Sequence, residues 1–246
     1  MNSNIGIIIQ ARTSSTRLPK KIILKMDGEE TFLDVLLKRV KKLKTKYPVI
    51  LATSNLKVDE VLLSFAESHE IKFFQGSENN VLNRFIECAK ENKLKTIVRV
   101  CSDNPFLDIN LLEELIANYN NEDYLSYKIN NSPSILTHFG FFAEIVSVKA
   151  LEKVAEKGDE TCNEHVTNCI YKNPDDFIVN FIHKKNDNNS IRCTLDTKND
   201  FENLKDIYLN FVKENPEYRY PDLIKYIETR TDLLLEMKKI IKENTK

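Results

Sequence analysis

The chain predicts an α/β fold, with a mostly parallel sheet covered by helices on both faces. Three observations lead there. Short apolar runs alternate four times with longer stretches of helical spacing between residues 5 and 119. The runs "IIIQ" and "TIVRV" are apolar almost throughout, as strands buried on both faces are. The segments between strand and helix are a few residues long, the length usual in βα units.

The elements follow in order. "IGIIIQ" (Ile5–Gln10) reads as the first strand. In "TFLDVLLKRVKKL", the residues Phe32, Leu33, Leu36, Leu37, Val40 and Leu43 recur at helical spacing. "PVILAT" and "VDEVLLSFAESH" form the second strand and helix, and "IKFFQG" and "NVLNRFIECAKEN" the third. "TIVRVCSDNP" is a fourth strand that stops at Pro105, before the helical "NLLEELIANY".

The regularity weakens after Tyr124. "DYLSYKI", "FFAEIVSV", "FIVNFIH" and "SIRCTLD" read as strands, with "KALEKVAEK" and "NEHVTNCIYK" as helices between them. Residues 124–185 are therefore expected to form an α+β insertion or second layer within a single domain spanning residues 1–246. The polar "KKNDNNS" is expected to be a turn. The chain is expected to rejoin the main sheet at "SIRCTLDT", ahead of the amphipathic "KNDFENLKDIYLNFVKE". Residues 212–246 read as C-terminal helices with a frayed tail.

Composition narrows the function classes. The formal net charge of −1 gives no general attraction for nucleic acid or for an anionic membrane surface, so neither is expected as a partner. No apolar run is long enough to span a bilayer. The five cysteines are scattered without a CxxC pair, so reduced thiols and a cytoplasmic location are expected.

In such a near-neutral chain a local cluster of cations is informative. "QARTSSTRLPKK" sets Arg12, Arg17, Lys20 and Lys21 among Ser14, Ser15 and Thr16, directly after the first strand. Ligands of parallel sheets bind at the carboxyl ends of the strands. Arginine forks onto phosphate oxygens, and lysine supplies a compact charge beside them. Neither GxxxxGK[ST] nor GxGxxG is present, and a solvated basic loop is the alternative reading. Asp103 follows the fourth strand in "RVCSDNPFLD", and Asp196 lies in "TLDTKNDF". Each alone could be a turn or helix cap. Together they could share one hard cation with a triphosphate, which points to a magnesium nucleotide and transfer at phosphorus.

The segments "IIIQARTSSTRLPKKIIL", "ILATSN", "FFQGSENNVLNRF", "RVCSDNPFLD", "NEHVTNCIYKNP" and "IRCTLDTKNDFENLKDIY" run in order from Ile5 to Tyr208. They closely resemble the cytidylyltransferases that activate acidic sugars, in particular the SpsF-like branch. The resemblance implies a three-layer, Rossmann-like nucleotidyltransferase fold of GT-A type, with CTP and Mg²⁺. It implies that Arg12, Ser15, Arg17 and Lys21 hold the triphosphate, and that Arg12, Arg17 and Lys21 stabilise the departing pyrophosphate. Gln10, Ala11 and Ser102 adjoin these positions and are expected at the nucleotide. Ala52, Thr53 and Ser54 match the segment lining the cytosine pocket, and Gly76, Ser77 and Arg84 the segment completing it.

Asp103 and Asp196 match the magnesium ligands, with Asp103 also at the nucleotide. Glu144, Glu164 and His165 fall where an anionic, sugar-like acceptor or a neighbouring subunit would lie, and a homodimer is implied. For His165 a packed structural histidine is the competing reading. The apolar "FGFFAEIVSV" stretch is expected at the subunit contact. Lys20 stands where the RLPGK version of the loop has glycine, and Asn80 and Asn83 stand where acidic residues are common. The alternatives are another NTP, a polyol-phosphate or phosphonate acceptor, a glycosyltransferase, or a non-catalytic nucleotide-binding protein.

Overall fold

The computed structural model describes residues 4–43, 45–185 and 188–244. The main strands are β1 (Ile5–Gln10), β4 (Val49–Ser54), β5 (Lys72–Gly76), β6 (Thr96–Cys101), β7 (Tyr124–Ile129), β9 (Glu144–Ser147) and β10 (Val179–Lys184). Between β1 and β4 lies a small hairpin of β2 (Lys25–Asp27) and β3 (Glu30–Thr31), which sequence spacing did not reveal, and β8 (Ser132–Pro133) pairs with β7. The helices are α1 (Phe32–Lys41), α2 (Val61–Ser68), α3 (Val81–Glu91), α4 (Ile109–Asn118), α5 (Val148–Glu156), α6 (Asn168–Tyr171), α7 (Lys198–Ile207), α8 (Tyr220–Glu228) and α9 (Thr231–Glu243).

The sheet order is β10-β7-β9-β6-β1-β4-β5. Along this order β9 runs against its neighbours, pairing antiparallel with β6 and β7, the short β8 also pairs antiparallel with β7, and β1 pairs parallel with both β4 and β6. The chain steps outward from β1 through β4 to β5, then returns to place β6 on the other side of β1. That reversal opens a crevice at the carboxyl ends of β1 and β6.

Side chains alternate across the sheet with the strand period of two. Ile7 and Ile9 face a core shared with α1, α4 and the C-terminal helices, while Ile8 faces a second core with α3 and α5. β4 repeats the pattern, with Val49 and Leu51 on the first side and Ile50 and Ala52 on the second. These two cores make three layers. α1 begins where the Thr31 side chain accepts from the Asp34 N–H and Asp34 reaches back to Thr31, a capping box that stabilises the helix start by about 1 kcal/mol.

Three expectations for the second half are corrected. The stretch from Tyr124 to Lys185 supplies β7, β8, β9 and β10 to the same sheet, with α5 and α6 on one face, so it forms no separate layer. "SIRCTLDT" is not a strand. Ile191, Cys193 and Leu195 are buried in alternation, but the backbone bonds are single ones, from the Cys193 N–H to the His138 carbonyl and from the Leu195 N–H to the Asp103 carbonyl, 2.8 Å each. The apolar "FGFFAEIVSV" stretch is core and cannot serve as a subunit surface. Phe141, Ala143, Ile145 and Val146 are buried, and the Phe141 ring lies 5.9 Å from that of Tyr220.

Asn186 and Asp187 of the expected turn, and Thr245 and Lys246 of the expected tail, lie outside the described residues. Leu223, Ile227, Leu233 and Met237 of α8 and α9 are buried in the first core. Among the described residues no helix is long and apolar enough to cross a membrane.

Candidate active site

The crevice at the ends of β1 and β6 is a cavity of 640 Å³. One wall is the loop that follows β1. Its start is fixed by the Ala11 N–H, which donates to the Ala52 carbonyl at 3.0 Å. Asp59 then pins Thr13: one carboxylate oxygen accepts from the Thr13 N–H at 2.7 Å and from its hydroxyl at 2.6 Å, and the other accepts from the Ser54 hydroxyl. Asp59 is fully buried, so this carboxylate serves the shape of the loop. Sequence reading missed it, because an aspartate before an amphipathic helix looks like any cap.

Lys20 closes the loop in the left-handed region, with φ 58° and ψ 21°. That explains why glycine suits this place, since a Cβ in that conformation crowds the backbone. Lys20→Gly is expected to leave pyrophosphate release unchanged and to hold or raise the thermal midpoint by about 1–3 °C, a balance of relieved strain against unfolded-chain entropy. A fall of several degrees would show that the lysine side chain holds the loop.

Past this turn the cations and carboxylates converge. The Lys21 ammonium donates to the Leu195 carbonyl at 2.6 Å and to Asp196 Oδ1 at 2.9 Å, and lies 3.5 Å from Asp103 Oδ2. Arg17 Nη2 meets the same Asp196 oxygen at 3.0 Å. Burial alone would lower the Lys21 pKa, but Asp103 and Asp196 together outweigh it and raise the value, so the ammonium stays charged. Two carboxylate oxygens on either side of one cation form a hard-oxygen donor set, and they fit a divalent ion that draws its remaining ligands from phosphates and water.

Farther along the cavity, Glu144 is buried and accepts from Arg99, Tyr124 and Thr167, each at 2.9 Å. Arg99 also donates to Gln10 Oε1 at 3.1 Å. Since guanidinium can only donate, the amide nitrogen is what Gln10 can offer as a donor to a ligand. Glu144 therefore organises the floor. Glu164 and His165 are exposed on the cavity rim, so His165 is no core histidine. Arg12 Nη2 reaches across to Glu164 Oε1 at 3.5 Å.

That rim segment is closed by a disulfide between Cys162 and Cys169, seven positions apart, where reduced thiols were expected. The turn between Cys162 and the short α6 brings the two sulfurs together, a meeting that no CxxC spacing signals. Cys88, by contrast, is a buried thiol whose pKa burial pushes up to about 12.

The cavity thus gathers Gln10, Arg12, Ser15, Arg17, Lys21, Ser102, Asp103 and Asp196 together with Glu144, Glu164 and His165. Ala11, Ala52, Thr53, Ser54, Gly76, Ser77 and Arg84 do not line it. They sit beside it, at the same carboxyl end of the sheet, where Ser54 of β4 pairs with Gly76 of β5. Arg84 Nη1 donates to the Ser77 carbonyl at 2.8 Å, while its Nε and Nη2 have no hydrogen-bond partner. Burial, and then the nearby Arg12, lower the Arg84 pKa. Buried polar groups are nearly always hydrogen-bonded, so these two nitrogens are exceptions beside the site.

Comparison with known proteins identifies the family. The cytidylyltransferase family profile matches residues 6–224. The spore coat polysaccharide biosynthesis protein SpsF of Bacillus subtilis is 31% identical over 243 residues, covering 95% of this chain and 98% of that protein. An uncharacterised protein of Methanocaldococcus jannaschii is 36% identical over 217 residues, 86% of each chain. The structure of a cytidylyltransferase from Leptospira borgpetersenii superposes with a TM-score of 0.83 at 28% identity, covering 94% of this chain and 96% of that one. A CMP:2-keto-3-deoxy-manno-octonic acid synthetase complexed with CTP shares the fold, with a TM-score of 0.60 at 13% identity over 84% of this chain and 99% of that one. The chain belongs to the cytidylyltransferase family and is a CTP-dependent nucleotidyltransferase.

Proposed function

We propose that this enzyme transfers CMP from CTP to an anionic, sugar-like acceptor by in-line displacement at the α-phosphorus. The observation that carries the reading is the Lys21 ammonium lying within 3.5 Å of both Asp103 and Asp196, residues 93 positions apart (196 − 103) that meet at one cation. An acceptor oxygen bonds to the α-phosphorus, the bond to the bridging oxygen breaks, and pyrophosphate leaves with the electron pair. The acceptor's hydroxyl proton passes to solvent.

Such a displacement needs positioning and charge neutralisation more than a protein nucleophile. Arg12, Arg17 and Lys21 would bind the triphosphate and stabilise the leaving pyrophosphate, with Ser15 and the loop backbone beside them. Asp103 and Asp196 would hold Mg²⁺, which when bound neutralises phosphate charge. Ala52, Thr53, Ser54, Gly76, Ser77 and Arg84 would surround the base, and Glu164 and His165 would face the acceptor above the floor that Glu144 organises. The kinship with SpsF supports a place in surface polysaccharide or glycoconjugate biosynthesis, carried out in the cytoplasm where CTP is made. The assembly implied is a homodimer; light scattering after size exclusion is expected to give twice 28.6 kDa.

The test is a pyrophosphate-release screen of the four NTPs against acidic sugars and polyol phosphates. Release with CTP and an acidic sugar together, and with neither alone, is expected. Turnover confined to a polyol phosphate or to another NTP would overturn the acceptor or base assignment.

A further inference from the structure

We propose that Arg192 is a positioning residue for the transfer: it turns Asp196 Oδ1 toward the cation site and couples that carboxylate to the segment that brings Thr137 to the cavity wall. The inference rests on the metal role given to Asp196 above. Arg192 touches none of the reacting groups. It is fully buried, and three of its nitrogens are committed. Nε donates to Asp200 Oδ1 at 2.6 Å, Nη2 donates to Asp200 Oδ2 at 2.9 Å and lies 3.4 Å from Asp196 Oδ2, and Nη1 meets His138 Nδ1 at 2.6 Å.

The planar fork makes this a rigid arrangement. Asp200 is itself immobilised, because Oδ2 also accepts from the Asp196 and Thr197 N–H groups at 3.0 and 2.8 Å. Backbone and side chain of Asp196 are therefore held by the same ion pair. With Oδ2 facing Arg192, Oδ1 is the oxygen left toward Lys21 and Arg17. A lysine here would keep the charge but lose the two-pronged geometry.

The contact with His138 extends the arrangement. Arginine only donates, so Nδ1 of His138 must accept, which places the imidazole proton on Nε2. His138 follows Thr137, which lines the cavity, and its carbonyl accepts from the Cys193 N–H. A single guanidinium thus spans the segment bearing Asp196 and the segment bearing Thr137.

The test uses Mn²⁺ as probe on the full chain. Free Mn²⁺ is titrated by electron paramagnetic resonance in the presence of CTP, and CTP binding in chelator is measured by calorimetry. Arg192→Lys is expected to weaken Mn²⁺ binding by about 10–100-fold, the usual effect of losing an outer partner of a ligand, while metal-free CTP binding stays within about twofold. His138→Leu, which leaves the pairs with Asp196 and Asp200 in place, is expected to weaken Mn²⁺ several-fold, and His138→Gln, whose oxygen can accept, to restore it.

Should Arg192→Lys fail to fold, the His138 pair decides. Unchanged Mn²⁺ affinity in the folded variants, whatever their thermal stability, overturns the proposal. Wild-type protein that binds CTP but takes up no Mn²⁺ sinks the metal role of Asp196 and this inference with it, whereas uptake by wild type and variants alike sinks the inference alone.

Discussion

Asp103→Asn is expected to cut pyrophosphate release by about a hundredfold or more while the protein stays folded. The two effects separate because of where Asp103 sits. Its side chain is 34% exposed, and its ion pair with Lys21 is 3.5 Å long. A partly exposed pair of that length contributes about 0–1 kcal/mol, so the thermal midpoint should move by no more than about 4 °C. The transition state is more demanding, since charge on the triphosphate must be met by groups already in place. Asparagine keeps the shape and removes the charge. The measurement is the pyrophosphate-release rate with saturating CTP and acceptor, set beside a melting curve. Normal turnover in the variant would remove Asp103 from the cation site.

Lys21→Met should cost about 10²–10³-fold in the same assay, because it deletes a largely buried, charge-assisted donor. It carries a second signature in pH. The Lys21 pKa is raised above its ordinary 10.5, since Asp103 and Asp196 outweigh the effect of burial. A raised pKa stabilises the folded state fully below the ordinary value, and that stabilisation is lost as pH rises through the higher folded value. Wild-type stability should therefore fall more steeply above about pH 10 than that of Lys21→Met. Parallel curves would mean that Lys21 does not bridge the two carboxylates in solution. Lys20→Gly, one position away, is the control expected to keep full activity.

Much of this was legible in the sequence, and the failures share physical causes. The first four strand–helix units could be read because β1, β4 and β6 are buried on both faces, which leaves continuous apolar runs. Arg12, Arg17 and Lys21 stood out because the rest of the chain is nearly neutral. Beyond Tyr124 the same reasoning misled. Ile191, Cys193 and Leu195 do alternate in burial, so the strand pattern of "SIRCTLD" is real, yet their backbone bonds go to two separate loops and no ladder forms. The phenylalanines around Gly140 read as a surface because nothing local shows that Tyr220, 79 positions on (220 − 141), packs against Phe141.

Asp59, Arg99 and Arg192 escaped notice for a related reason. Buried charges that shape a site are defined by partners distant in sequence, and they leave no periodicity. Gly140 is a partial exception. It sits at φ +70°, and a Cβ there would come within 2.4 Å of the Cys193 carbonyl, so the only residue without one marks a tight meeting of two chain segments.

The ring closed by Cys162 and Cys169 has a practical consequence at the bench. Cys169 is only half-buried, within reach of a dithiol reductant, and the intervening residues include Glu164, His165 and Thr167. Preparations made with and without reductant would then differ in the very rim an acceptor must pass. Kinetic constants from separate laboratories can be compared only once the oxidation state of those two sulfurs has been counted by mass spectrometry.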